Sequence, residues 1–238
     1  MHVLMHKPPC CLSSTVDDQP KATRLTKLKR QRSLSPGASA SASGDDGPAR
    51  QKRRTVVDVL QENGIDPAST SAVGRLDYES SGALLFTSDG ELNRAVRAKE
   101  AEGCAKVYEV HIAGRRALAD KDVARLAEPM WFPEPGLEGG GVWSAPAELR
   151  LLRHAELSGA EAEADPWPWP PHGGWATVVE FTLREGRNRQ IRRLCARSRL
   201  HVRRLHRTRF GPLGLGGLEE GRCRALSAGE LEALRGAV

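Results

Sequence analysis

From about Ser13 to Arg54 the chain is made of Ser, Ala, Gly, Pro, Lys and Arg with few large apolar side chains, a composition that cannot bury enough surface to offset the entropy of ordering. Residues 13–54 therefore read as a disordered basic insertion. Any core must be assembled from residues 1–12 and 55–238. The basic side chains of the insertion, among them Lys27, Lys29, Arg30, Arg32, Arg50, Lys52, Arg53 and Arg54, suit RNA phosphates, a localisation signal or plain solubilisation equally well.

Outside that stretch the hydrophobic pattern keeps changing period. His2 to His6 alternates weakly and runs into Lys7-Pro8-Pro9, a short strand entering a rigid turn. Val56 to Gln61 predicts a short helix stopped by Asn63-Gly64, and Ser80 to Ser88 a buried strand carrying Ala83, Leu84, Leu85 and Phe86. Ser88-Asp89-Gly90-Glu91 predicts a helix start with Ser88 as its cap. Lys106 to Ile112 alternates, Asp120 to Ala127 suits a helix, and Ala147 to Arg153 and Trp175 to Arg184 suit strands. Residues 158–174, acidic and then Trp-Pro-Trp-Pro-Pro, predict an extended loop insertion. Asn188 to Ser198 predicts a basic helix, Leu200 to Arg209 a strand, and Ser227 to Glu230 the cap of a last helix. Strands and helices interleave without a regular repeat, which predicts an α+β domain whose mixed, mainly antiparallel sheet is flanked by helices. No glycine cluster forms a phosphate loop between strand and helix, which argues against a dinucleotide-binding fold.

The net charge of +6 suits a polyanionic partner. Its distribution is more telling: Arg184, Arg187, Arg189, Arg192, Arg193, Arg197, Arg199, Arg203, Arg204, Arg207 and Arg209 crowd one segment whose only acid is Glu185. The five cysteines form no metal-ligand spacing, so reduced thiols and no metal are expected. There is no apolar run of membrane-spanning length and no secretory signature at the first residues, which predicts a soluble intracellular protein, cytoplasmic or organellar, without a membrane partner.

The residues that suit chemistry begin at Val73-Gly74-Arg75-Leu76-Asp77, a carboxylate on a loop beside the strand that ends in Ala83-Leu84-Leu85-Phe86-Thr87. Loops held by a scaffold are where chemistry concentrates. By spacing alone, a structural pair of Arg75 and Asp77 that orders the turn is the favoured explanation.

Four segments together are more specific. Leu4 to Pro9, Val73 to Gly90, Lys106-Val107-Tyr108-Glu109-Val110 and Glu185-Gly186-Arg187-Asn188-Arg189-Gln190-Ile191-Arg192-Arg193 resemble, in order and spacing, the RsuA-type pseudouridine synthases that modify ribosomal RNA in bacteria and organelles. The likeness covers most of the chain outside the two insertions, making residues 1–12 and 55–238 the expected catalytic domain. It departs from the family at Cys10, where a glycine is usual, and the small RNA-binding domain with which many members begin does not precede the matched segments, as expected either of a member without that domain or of a sequence truncated at its start.

The resemblance implies isomerisation of uridine in structured RNA, ribosomal RNA foremost, a reaction whose chemistry needs no metal or redox cofactor; a monomer without an obligate protein partner is the default expectation. It places Asp77 at ribose C1′, Arg192 as the cation that keeps this carboxylate charged, and Tyr108 over the uracil ring. The target must leave its stack to reach Asp77, at a cost of a few kcal/mol that other contacts offset. Lys7, Arg75, Arg187, Asn188, Arg189, Gln190 and Arg193 are the expected RNA contacts. A second reading is a non-catalytic RNA-binding factor of ribosome assembly with the same fold. A third, a DNA-binding protein, rests only on the basic helix, and no second helix identifies a helix-turn-helix.

Overall fold

The computed structural model describes residues 1–14, 53–98, 104–134, 136, 138–157 and 174–238. Most of the basic insertion, and the Trp-Pro stretch up to residue 173, lie outside them. The first half of the chain forms β1 (His2–Lys7), α1 (Val56–Glu62), β2 (Ser71–Ala72), β3 (Ser81–Thr87), α2 (Gly90–Arg97), β4 (Lys106–Ala113) and α3 (Lys121–Ala124). The second half forms β5 (Trp131–Pro133), β6 (Gly141–Trp143), β7 (Glu148–Leu157), β8 (Gly174–Leu183), α4 (Gln190–Arg197), β9 (Val202–Phe210), β10 (Leu213–Gly214), β11 (Cys223–Ala225) and α5 (Ala228–Gly236).

One sheet runs β11-β1-β3-β9-β4-β8-β7, with β2 added to β3 and β10 to β9, while β5 and β6 form a separate ribbon. Among the described strands the β3–β9 pairing alone is parallel, the other strand neighbours being antiparallel. The α+β fold with a mixed, mainly antiparallel sheet is thus the architecture observed. Among the described residues no helix is long and apolar enough to cross a membrane.

The two halves of the sheet are covered differently, and the strand sequences reflect it. On one face of the β1–β3 half, Val3, Met5, Leu84 and Phe86 pack with Val56, Val59 and Leu60 of α1. On the other, Leu4, Ala83 and Leu85 pack with Leu92 and Val96 of α2 and Leu234 of α5. A strand covered on both faces reads as a continuous apolar run, and all of β3 is buried. In the β4–β8 half, Val110, Ile112, Val179 and Phe181 pack under Ile191, Leu194 and Cys195 of α4. The alternate positions of β4 carry Glu109 and His111, with Arg153 3.0 Å from the Glu109 carboxylate.

The helix ends follow the local signals in part. Ser227 and Glu230 cap α5 reciprocally, as their spacing predicts. The cap of α2 is Asp89 rather than Ser88: Asp89 accepts from the backbones of Glu91 and Leu92, while Ser88 accepts from the chain's first ammonium group at 2.5 Å. A carboxylate at a helix start also complements the helix dipole, which favours Asp89 for the position. The basic helix starts later than its composition suggests, because Arg189 precedes it in the left-handed region at φ 51° and ψ 34°.

The β3–β9 seam joins the two halves, and it depends on Gly82. This residue sits at φ +117°, and a Cβ there would lie 2.2 Å from the backbone oxygen of Arg207. Backbone strain and overpacking each cost about 1–3 kcal/mol, so Gly82→Ala should lower the unfolding free energy by ~3 kcal/mol or more in urea titrations. A loss under ~1 kcal/mol would mean that β3 and β9 separate without penalty.

Candidate active site

Asp77 lies in the turn between β2 and β3, and that turn is held from behind by Lys7, the last residue of β1. The Lys7 ammonium is fully buried and donates to the carbonyls of Ser80 at 2.8 Å, Pro8 at 2.9 Å, Asp77 at 3.3 Å and Tyr78 at 3.5 Å. Burial pulls its pKa down to about 8, against the opposing influence of Cys11, Cys10 and Asp77. Ser13 adds a second tie, its hydroxyl donating to the carbonyl of Leu76 at 2.7 Å. Between these ties Cys10 takes a left-handed backbone at φ 52°, a conformation glycine adopts without strain.

The Asp77 carboxylate points across the turn to the start of α4. Its Oδ2 stands 3.8 Å from Nε of Arg192 and 3.8 Å from Nη1 of Arg189; these are ion pairs, too long for hydrogen bonds. Among the described ion pairs its partners are these arginines and not Arg75, so the reading of Arg75 and Asp77 as a turn-ordering pair falls away. Arg192 is 15% exposed, and its Nε has no hydrogen-bond partner among the described residues. Burial draws the Arg192 pKa down, partly countered by Glu79 and Asp77. Arg189 is shared with Glu79, 3.1 Å away. Burial pushes the Glu79 carboxyl up, but its backbone hydrogen bond and the Arg189 and Arg192 guanidinium groups outweigh this and hold its pKa low.

Asp77 and Tyr108 line one solvent-open cleft of about 420 Å³ together with Arg75, Ser80, Arg187, Arg189 and Gln190. Tyr108 lies on the face of β4 that packs under α4, and it contacts the clusters on both sides of the seam. Its register partner on β9 is Arg207, whose guanidinium is 6.0 Å from the Tyr108 ring centroid and 4.9 Å from that of Phe210. Arg207 is 2% exposed; its Nε donates to the carbonyl of Ala83 at 2.7 Å, and its Nη2 is buried without a partner among the described residues.

The expected RNA contacts divide sharply. Arg75, Asn188 and Arg189 are exposed. Lys7 is buried behind the turn, so its ammonium organises backbone and is not presented to a phosphate. Gln190 is 4% exposed; it accepts from the backbone of Arg187 at 3.2 Å and donates to Glu185 at 2.7 Å. Arg187 is 12% exposed and ion-paired to Glu134 at 2.9 Å and Glu185 at 3.0 Å. Arg193 lies over the ring of Phe132 at 4.3 Å. Each of Lys7, Arg187 and Gln190 is already engaged by polar partners of the fold; for Lys7, whose partners are backbone carbonyls around a buried ammonium, exchange for a phosphate would leave them unsatisfied. Glu79, Glu185 and Arg207 complete the site without having been singled out in the sequence. Glu185, as the lone acid in an arginine-rich segment, was the one with a visible signal.

Comparisons with known proteins assign the family and the fold. The chain belongs to the RNA pseudouridylate synthase family, whose model matches residues 2–197. It is 29% identical over 193 residues to an uncharacterised RNA pseudouridine synthase of Aquifex aeolicus, covering 81% of this chain and 65% of that protein. Against the ribosomal large subunit pseudouridine synthase B of Salmonella typhimurium it is 34% identical over 190 residues, covering 78% and 54%. The corresponding Bacillus subtilis protein is 28% identical over 200 residues, covering 84% and 68%. The chain thus spans about half to two thirds of the length of these relatives. A crystal structure of a pseudouridylate synthase matches with a TM-score of 0.62 at 22% identity, covering 98% of this chain and 73% of that one, which places the fold.

Lys7 supplies a direct test of the turn. In the unfolded chain its amine keeps its proton up to the ordinary value of 10.5, whereas in the fold it releases it at about 8. Between these values the unfolded state holds more protons, so the Lys7 contribution to stability rises with pH. The difference in unfolding free energy between wild type and Lys7→Met should move in favour of wild type from about pH 7.5 to about pH 10. A flat difference in urea titrations would show that the carbonyls keep the ammonium charged.

Proposed function

We propose that this chain isomerises a uridine to pseudouridine in structured RNA, ribosomal RNA in particular, with Asp77 as the catalytic carboxylate. The observation that carries the reading is the placement of Asp77 between Arg192 and Arg189 in a cleft that also holds Tyr108. Isomerisation breaks the bond from C1′ to N1, turns the base and joins C1′ to C5. The proton on C5 is lost and N1 gains one, so atoms and charge balance within the nucleotide and no redox partner is required.

A carboxylate beside C1′ serves this reaction by attacking that carbon or by deprotonating the sugar, and both uses need its ionised form. Arg192 is placed to stabilise that form, and Tyr108 to stack on the extruded uracil and to take part in removing the C5 proton. Arg75, Asn188 and Arg189 are the side chains left exposed for phosphates. The same reading makes the protein a monomer acting inside the cell without an obligate protein partner. Sedimentation at micromolar concentration should accordingly show one species with the mass of a single chain.

Incubation with ribosomal RNA, followed by chemical mapping of pseudouridine, should reveal a new site with wild type. Asp77→Asn should reduce conversion to about one thousandth or less, in the upper range of a lost acid–base group, while still binding the RNA. Tight binding without conversion by wild type would overturn the enzymatic reading in favour of a non-catalytic assembly factor.

Arg75 tests the phosphate contacts separately. Arg75→Gln should lower the slope of log affinity against log salt by about 0.7–0.9, the contribution of one phosphate, without changing the unfolding midpoint. An unaltered slope would remove Arg75 from the interface.

A further inference from the structure

The β5–β6 ribbon stands apart from the main sheet and has two unlike faces. Its inner face carries Phe132, 1% exposed, beneath the guanidinium groups of Arg193 at 4.3 Å and Arg187 at 6.0 Å. Its other face carries the directly opposed pair Trp131 and Trp143, 40% and 61% exposed. Their rings meet edge to face with centroids 5.7 Å apart. The ribbon is shaped around this pair: a Cβ on Gly141 would lie 2.8 Å from the Trp131 ring, so that ring rests against a position with no side chain.

The ribbon is also fastened to the cleft. Arg187, which lines the cleft, reaches Glu134 after β5 at 2.9 Å and the carbonyl of Trp143 in β6 at 3.4 Å. Glu185 accepts from the backbone of Ala145, just beyond β6, at 2.9 Å. Trp175 is exposed as well, but Arg115 covers its ring at 5.0 Å. Leaving two indoles open to water forgoes a large apolar burial. The exposed arginines of the adjoining loop, Arg184 and Arg189, make a polyanion with flat apolar faces the complementary occupant.

We propose that Trp131 and Trp143 form a stacking platform for an unpaired base of the RNA substrate, next to the nucleotide that enters the cleft. Extruding a nucleotide costs a few kcal/mol and breaks the stack on either side of it. Aromatic side chains recover ~1–3 kcal/mol per stacked base regardless of base identity. The ribbon thus offers its stabilisation to whichever nucleotide loses its neighbour. The inference takes its kind of partner from the pseudouridine synthase reading, but the contact itself needs no chemistry at Asp77.

The test measures binding of a fluorescein-labelled oligouridylate of about twelve nucleotides, within the site size of single-strand binders, against a ribose-phosphate chain of equal length lacking bases. Trp131→Ala and Trp143→Ala should each weaken oligouridylate binding about 5- to 150-fold, the fold-change equivalent of one lost stack. The base-free chain should bind the variants as it binds wild type, Trp143→Tyr should restore most of the affinity, and thermal melts of all variants should match. Unchanged oligouridylate binding in Trp143→Ala would overturn the proposal, and so would an equal loss for the base-free chain. A dimer that sediments in wild type and disappears in Trp143→Ala would assign the face to a second copy instead. Failure of pseudouridine formation with base-dependent binding intact would sink the enzymatic reading and leave this one standing; conversion that proceeds with base-independent binding would do the reverse.

Discussion

A buried cation with four carbonyl partners holds the site together. An ammonium taken out of water costs several kcal/mol unless its hydrogen bonds are replaced, and in this fold the replacements come from Pro8, Asp77, Tyr78 and Ser80 around Lys7. The end of β1 and the turn that carries Asp77 therefore cannot be arranged independently. Lys7 lies opposite Gly82 across the β1–β3 ladder, Gly82 lies against the backbone of Arg207, and Arg207 lies opposite Tyr108. Four strands thus fix the relation between carboxylate and aromatic ring, and each step is a contact that tolerates little displacement.

The arginine-rich segment looks from composition like a uniform phosphate-binding face, yet much of it serves the fold. Arg187 joins the ribbon to the cleft, Arg193 covers Phe132, Arg197 donates to the carbonyls of Arg125, Glu128 and Pro129, and Arg207 is sealed behind Tyr108. Guanidinium groups suit these tasks because their several donors satisfy exposed carbonyls while the flat face packs on rings. The consequence is a positive field across the cleft in which only a minority of the charges are free to touch a ligand. Net charge counts the arginines but does not say which of them are committed to the fold.

That distinction also explains what was legible in the sequence. Elements with a strong local signature were readable: the all-apolar run of β3, the alternation in β4, and the Ser227–Glu230 cap. Asp77, Arg192 and Tyr108 were readable as a set only because four distant segments resemble one family in order and spacing; their meeting is a product of the sheet order, which no local pattern encodes. The ribbon of β5 and β6 was missed because its strands have three residues each, too few for alternation to show. Lys7 is an expected RNA contact only by its place in the segments that resemble the family; its burial follows from the path of the turn around it. The Ser88 cap failed for a local reason, since a neighbouring aspartate competes for the same backbone donors and the first ammonium group competes for Ser88.

At the cleft mouth, strain and electrostatics act together on Arg189. A non-glycine residue in the left-handed region costs roughly 1–2 kcal/mol, and here that backbone sends the guanidinium to Glu79 at 3.1 Å and Asp77 at 3.8 Å. At 43% exposed, such a pair contributes only about 0–1 kcal/mol, less than the strain it accompanies. Arg192, 15% exposed on the same carboxylate, is the less screened partner. The two arginines that face Asp77 therefore differ in kind: Arg192 is the more buried and less screened, whereas Arg189 is more exposed and divided between Asp77 and Glu79.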